Sequence, residues 1–148
     1  MRPGIGAGIG ALPVSALAPL VSPRLDIQVE GGDHSVAFFV AARFSTFVVS
    51  PSLFAPTIEA GARWHVSRKI TLGLAIGTGI ALLLARDGGS VFLVGATIEP
   101  FTWSFTPNHE VGLAISGFLP VGTPGVGASG PFFNVLVEPT VGYTFRFK

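Results

Sequence analysis

The chain has 148 residues, 49% of them hydrophobic and only 11% charged, with a net charge of +1 and no cysteine. Charge at less than half of the roughly 25% usual in soluble proteins is too sparse to clothe a solvated surface. The balance gives no reason to expect nucleic acid as a partner, and without thiols there is no disulfide framework, thiolate metal site or cysteine catalysis.

The length suits one domain, residues 1–148. The opening Met1-Arg2-Pro3-Gly4 lacks the unbroken apolar centre of a secretory signal, so a signal was either removed or never present. Alternation then predicts a strand over Pro3–Leu12, with Ile5, Ala7, Ile9 and Ala11 on one face and four glycines, Gly4, Gly6, Gly8 and Gly10, on the other. Arg24–Glu30 sets Leu25, Ile27 and Val29 against Arg24, Asp26, Gln28 and Glu30. Val36–Ser45 sets Phe38, Val40, Ala42 and Phe44 opposite Arg43. Thr57–Val66 sets Ile58, Ala60, Ala62, Trp64 and Val66 opposite Thr57, Glu59, Gly61, Arg63 and His65.

The next run, Ile70–Ala85, is uncharged but at sixteen residues is shorter than the ~20 that a spanning helix needs. Gly73, Gly77 and Gly79 share a parity with Thr71, Ala75 and Ala81, opposite Leu72, Leu74, Ile76, Ile80 and Leu82, which is a strand pattern. Val91–Phe105 changes phase. Phe92, Val94, Ala96 and Ile98 share a face with Phe101, Trp103 and Phe105 only if one residue is inserted, and Glu99-Pro100 is the expected bulge. Glu110–Leu119 sets Val111, Leu113 and Ile115 against Glu110, Gly112, Ala114 and Ser116. Phe133–Phe147 closes the series, with Val135, Val137, Pro139, Val141, Tyr143, Phe145 and Phe147 opposite Glu138, Thr140, Gly142, Thr144 and Arg146.

Alternation alone does not choose between a soluble sheet and a membrane one, but the charges do. Of seventeen Asp, Glu, Lys and Arg residues, ten share the polar parity of the strands and seven lie in apparent turns or at the ends. That is inside-out for a soluble protein. It predicts an all-β fold, an antiparallel up-and-down transmembrane β-barrel of eight strands, greasy outside and polar inside. Short turns at 31–34, 67–69 and 106–109 alternate with longer segments at 13–23, 46–56 and 122–131, the brief 86–90 connection being the exception. Two aromatic belts are expected at the membrane interfaces. Trp64, Trp103, Phe105, Tyr143, Phe145 and Phe147 lie towards the short turns, and Phe44, Phe47, Phe54, Phe92, Phe132 and Phe133 towards the other end.

With this pattern the chain resembles the small eight-stranded outer-membrane β-barrels of Gram-negative bacteria, the group that includes the membrane domain of outer membrane protein A. The closing Val141-Gly142-Tyr143-Thr144-Phe145-Arg146-Phe147 is similar to the C-terminal signal read by the barrel-assembly machinery in that group, although here the aromatic is penultimate, before Lys148. The resemblance implies location in a bacterial outer membrane, with membrane lipid and, during biogenesis, the assembly machinery as partners.

An eight-stranded barrel has an interior just wide enough for its own side chains. The expected lumen network comprises Arg24, Asp26, Glu30, Arg43, Glu59, Arg63, Glu99, Glu110, Glu138 and Arg146. Guanidinium forks are expected on the carboxylates, with Glu110 and Arg146 as one pair, and glycine-lined strands are expected beside charged ones. The glycine run lacks the spacing of a dinucleotide fingerprint and the lysine of a phosphate loop, so it reads as lumen space.

His65 and Ser67 share a spacing found in an outer-membrane lipid A deacylase family, with Glu59 on the same face to orient the imidazole. The surrounding residues do not match that family, and an inward histidine pairing with a carboxylate explains the pattern. Glu59 with Glu99 imitates a glycosidase dyad, but a filled lumen admits no sugar. His34, His65 and His109 are scattered, so neither a metal site nor a cofactor is expected. The apolar, proline-rich segments Leu12–Leu20 and Val48–Pro56 are either continuations of the strands or a contact surface for lipid, another protein or a second copy. The expected role is structural, anchoring or interactive and not enzymatic. A narrow pore gated by the interior charges and a lipid-modifying hydrolase are the alternatives.

Overall fold

The computed structural model describes residues 1–12, 20–33, 35–47, 52–84, 89–121 and 136–147. Eight strands follow one another: β1 (Arg2–Leu12), β2 (Leu20–Gly32), β3 (Val36–Phe47), β4 (Ser52–His65), β5 (Ile70–Leu84), β6 (Ser90–Thr106), β7 (His109–Val121) and β8 (Leu136–Arg146). Each pairs antiparallel with the next, and β8 pairs with β1, from Gly4 opposite Arg146 to Gly10 opposite Thr140, closing a barrel. The strands are 11 to 17 residues long, above the roughly 9–11 that a tilted strand needs to cross a bilayer.

The strands form where polar and apolar residues alternate, and they outrun that alternation. β2 begins at Leu20 and not at Arg24, and β4 at Ser52 and not at Thr57. Thus Leu20 and Ser52–Pro56, from the two apolar segments, continue the wall; residues 13–19 and 48–51 of those segments lie outside the described residues, as do His34, Ala85, Arg86, Phe132, Phe133 and Lys148.

Side chains fix the short turns. The Asp33 carboxylate accepts from the Ser35 and Val36 amides at 2.7 and 2.8 Å, and Ser67 Oγ accepts from the Lys69 and Ile70 amides at 3.2 and 3.0 Å. Both are local side-chain to backbone turns that Asp and Ser favour.

Across the β5–β6 and β6–β7 ladders the register slips by one residue around Pro100. Between Ile98 and Phe101 two residues of β6 face one step of β7, and Pro100 and Phe101 both point outward while Glu99 and Thr102 stay inside. The proline has no amide to offer the ladder, so the bulge falls where a donor is absent.

Outside, the wall is apolar. Ile5, Ile9, Leu25, Ile27, Phe38, Val40, Ile58, Leu74, Phe92, Val94, Leu119 and Val141 are all exposed, and Ile76 is 71% exposed. Inside, small residues make room for large ones. A Cβ on Gly10 would lie 2.3 Å from Glu138 Oε1, and one on Gly73 would lie 2.5 Å from Glu99 Oε2. These glycines are spaces that carboxylates occupy, which is how a narrow barrel is filled.

Candidate functional site

The buried polar side chains of β2, β3, β4, β6, β7 and β8 meet along the barrel axis. From the short-turn end, Glu110 Oε2 lies 2.8 Å from Arg146 Nη2, and Arg146 Nη1 lies 2.8 Å from Glu30 Oε2. Glu30 Oε2 also accepts from Arg63 Nη1 at 2.7 Å. Arg63 grips Glu99 with two nitrogens, Nε at 2.6 Å and Nη2 at 2.8 Å, a fork-to-carboxylate pair. Glu99 Oε1 continues to Arg43 Nη2 at 3.0 Å, and Arg43 bonds Glu59 and reaches Asp26 at 3.5 Å. Asp26 receives Arg24 Nε at 2.9 Å, and Arg24 Nη1 donates to Thr140 Oγ1 at 3.2 Å. Nine of the ten charged residues that alternation places inside are therefore joined in one chain of ion pairs.

The tenth, Glu138, has no ion pair among the described residues. Its Oε2 accepts from Ser45 Oγ at 3.2 Å, and its Oε1, lying over Gly10, has no hydrogen-bond partner there. A cavity of about 20 Å³ beside it, lined by Arg24, Arg43, Ser45, Glu59 and Glu138 among others, is polar and large enough for roughly one water.

The Glu110–Arg146 contact supports a quantitative expectation. Glu110→Gln and Arg146→Met combined in a double-mutant cycle, read by urea unfolding in lipid vesicles, should show a coupling of about 0.5–3 kcal/mol, the range for residues in one network. Additive losses would mean that the contact contributes nothing of its own.

Two interior features have no signature in polar alternation. Phe39 sits on the inward face, 3% exposed, with the Arg63 guanidinium 4.2 Å above its ring. The carboxylates bind the guanidinium along its N–H edge, and this cation–π contact covers one of its flat faces. Towards the end opposite the short turns the lumen becomes apolar, with Leu53, Ala55, Ala81, Val91, Leu93 and Phe118 buried and Leu93 only 1% exposed. At the short-turn end it instead widens into a half-open vestibule of about 1120 Å³, bordered by Arg2, His65, Arg68, Lys69, Glu110 and Arg146 among others.

The vestibule shows what becomes of the histidine–serine pair. His65 is exposed at its rim and its Nδ1 meets Thr71 Oγ1 at 3.0 Å, while Glu59, 2% exposed, is held by Arg43 deep inside. Glu59 does not orient the imidazole, because partners on a sheet are set by register with the next strand and here His65 faces Thr71. Ser67 Oγ serves the turn. Glu59 and Glu99 both bind Arg43, which neutralises the pair as a carboxylate dyad. Among the described residues no group of three or more His, Asp or Glu is placed to hold a metal.

On the outer surface near the short turns, Trp64, Trp103, Phe105, Tyr143 and Phe147 are exposed and Phe145 is half-buried. Trp103, Phe105, Tyr143, Phe145 and Phe147 form a run of ring contacts 5.0–6.5 Å between centroids, with His109 inside it and hydrogen-bonded to Tyr143. At the other end Phe44 and Phe54 stack at 6.5 Å, and Phe92 is exposed.

An apolar cylinder of eight antiparallel strands around an ion-paired interior is the architecture of the small outer-membrane barrels. The chain is similar in fold to the N-terminal β-barrel domain of Pseudomonas aeruginosa OprF, with TM-score 0.69, 11% identity and coverage of 99% of this chain and 97% of that one. It is also similar to Neisserial surface protein A, with TM-score 0.63, 14% identity and coverage of 99% and 96%. The outer membrane enzyme PagL has the same fold, with TM-score 0.55, 14% identity and coverage of 96% and 98%. No protein-family model matches the chain, and no curated protein matches its sequence.

Proposed function

We propose that this chain is an integral outer-membrane protein with a structural, anchoring or interaction role and a lumen closed to solutes. The observation that carries this reading is the continuous chain of ion pairs from Glu110 to Arg24, which runs along the barrel axis and holds its charged side chains to one another. The buried Leu53, Val91, Leu93 and Phe118 towards the other end support it, because an ion entering there would shed part of its water against apolar side chains. The outer-membrane location is supported by the apolar wall, the aromatic belts and the closing Val141–Phe147 pattern, on which the assembly machinery would act. A protein partner or second copy would meet the segments between β1 and β2 or between β3 and β4.

The test is planar-bilayer recording of the refolded chain. The expected result is no stepwise current above background. Steps whose size changes in Arg43→Ala or Glu138→Gln would overturn it in favour of a pore gated by interior charges. Hydrolase activity is checked in parallel: the proposal expects no acyl release from lipid A, whereas release abolished by Ser67→Ala would make the chain an enzyme.

A further inference from the structure

We propose that the β4–β5 turn binds the phosphate of an acidic phospholipid headgroup, with Arg68 and Lys69 as the cations and Trp64 and Trp103 as flanking anchors. The proposal rests on the membrane reading above and adds a preferred lipid to it.

Seven charged residues lie outside the lumen network: Arg2, Asp33, Arg68, Lys69, Arg86, Asp87 and Lys148. Among the described residues these are Arg2, Asp33, Arg68 and Lys69, and all four lie at the short-turn end. The short-turn end is thus the basic end. Its one acid is engaged, since Asp33 Oδ1 accepts from Ser35 and Val36 of its own turn.

Arg68 and Lys69 stand side by side in a turn whose backbone is already fixed. The Val66 and Ser67 amides donate to the Ile70 carbonyl at 3.0 and 3.2 Å, Ser67 Oγ accepts from the Lys69 and Ile70 amides, and the Lys69 carbonyl accepts from the Ser104 amide at 2.8 Å. Both side chains are exposed and neither has a hydrogen bond or ion pair among the described residues. Two adjacent cations are therefore held at a defined place with their charge unspent.

Trp64 is opposite Leu72 and Trp103 is opposite Ile70, so the two indoles flank the strand that leaves the turn, one on each side. Both point outward, 43% and 44% exposed, alongside exposed Val66 and Leu72. Indoles sit at headgroup depth, with the ring in the acyl boundary and N–H towards the polar layer. Guanidinium and ammonium groups at that depth are the usual partners of lipid phosphate and are drawn to anionic leaflets. Arg68 and Lys69 also border the vestibule, where a soluble anion would be the competing occupant. The outward tryptophans and their apolar neighbours favour the lipid, because an anion in the vestibule would leave all four side chains without a role.

Trp64 and Trp103 are the only two tryptophans of the chain, so their fluorescence reads the site directly. The full chain is reconstituted in equal mixtures of phosphatidylglycerol and phosphatidylcholine, with brominated acyl chains on one lipid and then on the other. Brominated phosphatidylglycerol is expected to quench about two to three times as strongly, a preference that falls as salt is raised. In the Arg68→Gln, Lys69→Gln double variant the two lipids should quench equally. Equal quenching in the unsubstituted protein, or a preference that survives in the double variant, overturns the site alone. Loss of the preference to inorganic phosphate at matched ionic strength would assign the cations to a soluble anion and likewise overturn it. Absence of quenching by either lipid would overturn the membrane reading, and the site with it.

Discussion

Arg63→Met should destabilise the barrel by about 3–5 kcal/mol, the cost expected when one partner of a buried ion pair is removed and the other charge is left behind. Among the described residues Arg63 makes more hydrogen bonds to interior carboxylates than any other cation. It holds Glu99 through two nitrogens and Glu30 through a third, and it packs over Phe39. Without it Glu99 keeps only Arg43 and Glu30 keeps only Arg146. Methionine retains much of the stem volume, so the loss is electrostatic and not a cavity. Equilibrium unfolding by urea in lipid vesicles reads the effect. Adding Glu99→Gln should recover a substantial part of it, because the cost is then a stranded carboxylate and not a lost attraction. A loss below about 1 kcal/mol, the size of an exposed pair, would mean that water reaches the lumen freely.

The second large effect lies on the other face of the wall. Ile76 is near the middle of β5 and 71% exposed, so Ile76→Arg should cost about 2–4 kcal/mol if lipid surrounds it, falling to about 0–1 for the same change at Val66, beside the short turn. In a water-soluble barrel both substitutions would be nearly neutral, since each places a charge on an exposed position. The gradient between the two sites is the measurement, because it does not depend on how well any single variant folds.

These two faces were not equally legible. Alternation assigns Ile76 outward and Arg63 inward from parity alone, and eight runs of it, punctuated by short turns, are enough to define the barrel. The bulge at Glu99-Pro100 is legible for a similar reason: the phase change and the proline fall at one place. Which inward residue meets which is much less visible. The neighbours of His65 and Glu59 follow from cross-strand register and from how far a side chain reaches along the axis, and a single strand encodes neither. Phe39 escapes notice because polarity is a poor guide where an aromatic serves a cation, and Leu93 and Phe118 because β6 and β7 are apolar on both faces there. The strand starts at Leu20 and Ser52 escape because proline-rich apolar segments read as loops even where they remain paired in the wall.

The bare inner surface of β1 has a consequence for how the sheet is joined. Because Gly4, Gly6, Gly8 and Gly10 project nothing inward, β2 and β8, two places apart around the wall, become direct neighbours inside it. Arg146 reaches Glu30, and Arg24 reaches Thr140, across the glycine strand, each linking residues 116 positions apart in sequence. Contacts of such separation can form only after nearly the whole chain has been laid down, which makes topologies of this kind slow to assemble. Once formed, they fasten the two ends of the polypeptide a second time, behind the backbone ladder that already joins them. The sheet has no margin from which it can be peeled.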